Sequence, residues 1–151
     1  MKLFKSAALV AFLAVPVIAT AQSTEDVMEA RHGFMRMLAL NMGQLSGMAK
    51  GEIEYDEAAA ATAAANIEAL TQYTATGLFV PGTSSEDLEN SGALPAVWDN
   101  SEKFAQEFQS FAEAATGASE GVKGGQGNIG PVLQKLGGSC KSCHDDFRKP
   151  E

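Results

Sequence analysis

The last fifteen residues, GGSCKSCHDDFRKPE, hold both cysteines of the 151-residue chain and one of its two histidines. No other stretch constrains the fold as much. Apolar residues upstream of the motif, Ile129, Val132, Leu133 and Leu136, recur at three- and four-residue steps, and the same steps run on through Cys140, Cys143, His144 and Phe147. That period predicts a helix. Asn128 can cap it, and Pro131 is tolerated in its first turn. Cys140 and Cys143 are three apart, and His144 is four after Cys140, so both thiols and the imidazole share one helix face. That face is the apolar one, and the fold must supply an interior that can receive them.

A Cys-x-x-Cys pair followed by His suits three chemistries: dithiol–disulfide exchange, half of a zinc site, and covalent attachment of haem. Thioredoxin-like exchange expects a βαβ setting with the first cysteine at a helix start. Here the motif lies about three turns into a helix, and no strand is visible. A structural zinc site needs four ligands, and beyond the motif the chain offers only His32 and carboxylates. A disulfide across two intervening residues closes almost no chain and adds little stability. Haem attachment fits best: the thiols can add to the two vinyl groups at one porphyrin edge, and the adjacent imidazole reaches iron from the proximal side.

The other end of the chain sets the compartment. MKLFKSAALVAFLAVPVIATAQ has two lysines, an apolar run and an Ala-x-Ala ending, the pattern of a secretory signal peptide cleaved after Ala21. The apolar run is too short for a membrane span and contains Pro16. Residues 1–21 are therefore expected to be removed, and residues 22–151 to form one domain in the periplasm. Two of the 11 basic residues lie in the leader, so the remaining segment carries 9 against 19 acidic residues, a formal net charge of −10. Such an acidic surface argues against nucleic acid and anionic membranes as partners and suits a soluble exported protein with basic partners.

Three further helical stretches are expected. The first opens at Ser23 or Thr24 and carries Val27, Arg31, Phe34, Met35, Leu38, Met42, Leu45 and Met48 as one stripe, ending at Gly51. Arg31 is the polar member of that stripe; it either snorkels out at the edge or pairs with something anionic inside. The second begins after Asp56 in an alanine run and extends to Gly77. Its alanines suit either close approach to a neighbour or self-association. The third starts near Asn100 and carries Phe104, Phe108 and Phe111 as core. A long Gly-, Pro- and Ser-rich segment between the second and third helices is expected to dock through Leu78, Phe79, Leu88 and Trp98. These features predict an all-α antiparallel four-helix bundle with a long crossover between helices 2 and 3.

Four segments, EARHGFM, LFVPGTSSEDL, AVWDNSEKF and LQKLGGSCKSCHDDFRK, extend a resemblance over essentially the whole chain after the leader. The sequence resembles the class II c-type cytochromes, most closely the cytochrome c′ family of proteobacteria. The resemblance implies one covalent haem c, with Cys140 and Cys143 as thioether positions and His144 as the axial iron ligand. It places Arg148 beside the proximal histidine, Arg31 near the haem propionates and His32 at the haem edge. It sets Met35 over the open face of the iron, Phe79 on the distal side and Asp87 near the haem from the crossover.

Function then turns on Met35. If it does not bind iron, the family implies a five-coordinate, high-spin haem that takes small gases such as NO or CO. If it is the sixth ligand, the protein is a low-spin electron carrier. The distal stripe of Phe34, Met35 and Leu38 holds no convergent acid or base, so no enzymatic activity is expected. The family also implies a homodimer built on the first two helices, for which Gly43, Gly47 and the alanine run would allow close packing. Redox partner proteins are not identifiable from the sequence.

Overall fold

The structure, a computed structural model, describes residues 23–150. The expected leader and its cleavage point lie outside the described residues. Six helices follow in order: α1 (Thr24–Lys50), α2 (Glu57–Leu70), α3 (Ala96–Asp99), α4 (Ser101–Ala115), α5 (Ala118–Gly121) and α6 (Ile129–Phe147). The long ones, α1, α2, α4 and α6, form the antiparallel four-helix bundle that the sequence predicts. α1 packs on α2, and α4 on α6, while α1 also meets α6. Among the described residues the only β pairing is a single bridge between Ala93 and Arg148.

The ends of α1 follow local chemistry. Ser23 accepts the Asp26 amide hydrogen bond at its N-terminus, and Gly51, at φ 73°, closes its C-terminus in the left-handed region that favours glycine. Its buried face carries Val27, Met28, Arg31, Phe34, Leu45 and Met48, while Met35, Leu38 and Met42 of the expected stripe are only half-buried. Asp56 caps α2 through the Ala59 amide. Ala60, Ala63, Ala64 and Ile67 are all buried, so the alanines do permit close helix approach inside the bundle.

Two helix boundaries differ from expectation. α2 stops at Leu70 rather than running to Gly77. The Thr71 hydroxyl donates back to the Glu68 carbonyl, and the amides of Gln72 and Tyr73 bond three residues back, to Ala69 and Leu70. The chain tightens there and re-forms as a 3-10 turn at Ala75–Leu78, which buries Ala75 and Leu78 beside Phe34. Packing thus overrides propensity, and Tyr73 is left 55% exposed. At the other boundary, Asn128 does not cap α6 with its side chain. Its amide donates to the Lys123 carbonyl instead, and a 3-10 turn at Gln126–Asn128 leads directly into the helix.

The crossover, residues 71–95, is stitched to α6 as well as to α1. Leu94 N–H donates to Phe147 O at 2.9 Å, and Lys149 N–H to Gly92 O at 2.8 Å. Trp98 Nε1 donates to Phe79 O at 3.1 Å. These bonds bring the crossover against the helix that carries the cysteine motif.

Candidate functional site

α6 delivers Cys140 and Cys143 to the interior and leaves His144 on its exposed side. Cys140 packs against the main core cluster of Leu45, Ile67, Phe111 and Leu136. Cys143 packs against a second cluster of Ala93, Val97, Phe104 and Phe147. The thiols are free of each other as a disulfide. Burial pushes Cys140 up, and burial, with Glu107 next, pushes Cys143 up to about 11. A catalytic dithiol needs the opposite, a stabilised thiolate, so the site does not suit disulfide exchange. Among the described residues no group of three His, Cys, Asp or Glu side chains is placed to hold a metal ion.

The opposite wall comes from α1 and the crossover. Met35 is half-buried beside Phe34, Ala75, Leu78 and Phe79. Phe79 and Phe108 pack against both this cluster and the one that holds Cys143. Phe79 meets Phe104 edge-on at 4.7 Å, and Phe104 meets Phe147 at 5.2 Å, within the favourable range for such pairs. The structure therefore groups Met35, Phe79 and Cys143 around a shared aromatic wall. A cleft of about 290 Å³ between α4 and the turn after α2 borders the same Phe34 and Phe108, with Gln72, Thr74 and Gln109 at its rim.

Arg31 is only 4% exposed, and all five of its N–H donors have acceptors. Nε and Nη2 donate to Leu78 O at 3.0 and 2.8 Å. Nη1 donates to Thr83 O at 3.2 Å and Ser91 Oγ at 3.4 Å. Nη2 also donates to Thr83 Oγ1 at 2.5 Å. The guanidinium lies 4.4 Å from the Phe79 ring centre. Burial lowers its pKa from the ordinary arginine value, yet arginine stays charged in proteins. Of the two readings its place on the stripe allowed, neither the snorkelling edge residue nor the buried ion pair is what these partners describe: every acceptor is neutral.

His32 is half-buried one residue on. Arg148 is exposed at the end of α6, where its backbone N–H donates to His144 O at 3.1 Å. Asp87 is exposed and closes a turn: its Oδ2 accepts from Ser84 N–H at 3.0 Å and Ser84 Oγ at 2.7 Å. Sequence reasoning missed Thr83 and Ser91. Their only signal is a short hydroxyl next to glycine or proline, in PGT and NSG, a pattern common to many turns.

A four-helix bundle whose last helix carries Cys-x-x-Cys-His, with both cysteines set against apolar clusters, defines a class of helical c-type haem proteins. The chain matches the family described as Cytochrome C′ over residues 26–148. It is 41% identical to a cytochrome c′ of Cereibacter sphaeroides over 135 residues, 89% of this chain and 91% of that protein. It is 35% identical to a cytochrome c-554 of the same species, covering 92% of each. A solved cytochrome c′ from Rhodobacter Spheriodes superposes with a TM-score of 0.81 at 39% identity, covering 86% of this chain and all of that one. Two more distant structures, each 25% identical, are a nitric oxide complex of a mutant cytochrome c prime from Alcaligenes xylosoxidans (TM-score 0.69, covering 84% of this chain and 97% of that one) and a cytochrome c′ with ligand-controlled dimer dissociation (TM-score 0.75, covering 87% and 100%). The chain belongs to the cytochrome c′ family, whose members carry covalently attached haem c; its two cysteines fit that attachment.

Proposed function

We propose that this protein is a periplasmic monohaem cytochrome that moves electrons and binds small uncharged gases at a five-coordinate haem. The observation that carries the reading is the placing of Cys140 and Cys143, side by side on α6, against two apolar clusters, with His144 in the same turn. Cys140 and Cys143 would hold the haem through two thioether bonds. His144 holds the proximal side and Arg148 stands beside it, while His32 and Asp87 lie towards the haem edge. Haem c then supplies a redox-active iron whose potential follows from axial ligation and burial.

Met35 and Phe79 form the distal wall and limit what reaches the metal. The wall carries no acid or base suited to proton transfer, so the protein works as a carrier and binder rather than an enzyme. The nitric oxide complex of the Alcaligenes relative supports gas binding, and the cleft behind Phe34 and Phe108 offers a small ligand an approach. A second reading has the Met35 thioether as sixth ligand; the half-buried position of Met35 on this wall favours it enough to require a test. No helix among the described residues is long and apolar enough to cross a membrane.

The optical spectrum of the holoprotein decides between the two. A broad reduced Soret band that shifts on adding NO supports the open position. Sharp reduced α and β bands that persist in Met35→Ala would leave methionine ligation without support; their loss in that variant would establish it and displace the first reading. Replacing both Cys140 and Cys143 with alanine is expected to leave haem extractable by acid–acetone. Retention of haem would overturn the attachment assigned here.

A homodimer through α1 and α2 is part of the same proposal. Leu40 is 74% exposed and Met37 47%, and a side chain added at Gly43 would meet open space. Gly47 plays no part in that surface: it is buried beneath Ile53, whose Cδ1 lies 2.6 Å from where a Cβ would stand. A Leu40→Asp variant is expected to sediment as a monomer at concentrations where the parent is a dimer, and a monomeric parent would end the proposal.

A further inference from the structure

We propose that Arg31 is a positioning residue for the distal side of the haem, acting by clamping the crossover and Phe79 against α1 rather than by hydrogen-bonding a propionate. This rests on the haem reading above. The donor count carries it. An arginine has five N–H groups, and here the crossover engages all five, at Leu78, Thr83 and Ser91.

The acceptors are themselves fixed in orientation. The Thr83 hydroxyl donates to Val80 O at 2.7 Å, and the Ser91 hydroxyl donates to Thr83 O at 2.7 Å. Each hydroxyl has thus placed its one proton elsewhere and turns a lone pair to the guanidinium. Such an arrangement cannot be re-made for a carboxylate without undoing the crossover. A buried cation with only neutral partners is costly to assemble, and what it fixes here is a segment with little helix of its own.

Phe79 sits at the centre of that segment. The residue before it gives Arg31 a carbonyl, its own carbonyl accepts from Trp98, and its ring contacts both the guanidinium and Phe104. Lysine keeps the charge but offers three donors and no planar fork, so Arg31→Lys separates the clamp from the charge.

The experiment uses the holoprotein with Arg31→Lys, Phe79→Ala and the double variant, and a milder Thr83→Val that removes one acceptor. Amide exchange of residues 78–93 is read by mass spectrometry, and CO association with the reduced protein by flash photolysis. The expected result is about tenfold faster crossover exchange in Arg31→Lys, the order expected when roughly two hydrogen bonds are lost, with a smaller rise in Thr83→Val. CO association should change several-fold in Arg31→Lys, and that change should vanish in the Phe79→Ala background. Parental exchange and CO rates in Arg31→Lys would overturn the proposal. So would a CO effect undiminished without Phe79. A low-spin, six-coordinate spectrum would instead overturn the open-position reading, and the exchange result would still decide the clamp, since it does not depend on axial ligation.

Discussion

Asp87 shows how a single side chain ties the crossover to pH. Its hydrogen bonds from Ser84 hold the carboxyl below its ordinary range, so the fold favours the charged form. The turn's contribution is therefore complete above the unfolded-state value and is lost as pH falls through the lower folded one. Asp87→Asn should remove that acid limb. Thermal melts of parent and variant between about pH 5 and pH 2 should converge towards the acid end, and parallel curves would count against it. Arg31 marks the limit of reading single residues from sequence. Its oddity on an apolar stripe was legible. Its partners were not, because carbonyls 47 and 52 residues away leave no trace in residue type.

Elements were legible where local chemistry decided them. Ser23, Gly51 and Asp56 mark helix ends in the sequence and in the structure, and the periodicity of α6 set Cys140 and Cys143 towards the core but not His144, which is exposed. The end of α2 was not legible, because Ala75 and Leu78 are buried by contacts that only the folded molecule makes. The aromatic face of α4 was foreseen as core but not as part of the site wall. Phe104 is 5% exposed and touches Phe79, Phe108 and Phe147. Phe104→Ala should cost about 3–5 kcal/mol of stability, measured by denaturant unfolding of the holoprotein. A loss of less than about 1 kcal/mol would mean the aromatic wall is loosely packed. Ala64, wholly buried in α2, should tolerate leucine poorly for the opposite reason, as overpacking costs roughly 1–3 kcal/mol.

At the scale of the whole molecule, the acidic balance of the chain should show in encounter rates. Electron exchange with a basic redox protein should slow as salt rises from about 0.01 M to 1 M, over which the screening length falls from roughly 30 to 3 Å. A rate indifferent to salt would mean that the docking face is not charged overall. The pairing of Ala93 with Arg148 has a consequence for the order of assembly. The crossover is synthesised well before α6, yet the hydrogen bonds from Leu94 to Phe147 and from Lys149 to Gly92 cannot form until residues beyond the motif are in place. The helix that carries the thiols and His144 is thus tied to the crossover by residues at and just beyond its own end. A chain ending at Phe147 keeps Cys140, Cys143, His144 and the Phe147 carbonyl that receives Leu94 N–H, and lacks the Lys149 bond to Gly92 and the bridge at Arg148. It should accept haem as the parent does, and its Ser85 and Leu94 amides should exchange faster; equal exchange would show that the crossover seats itself without waiting for the end of the chain.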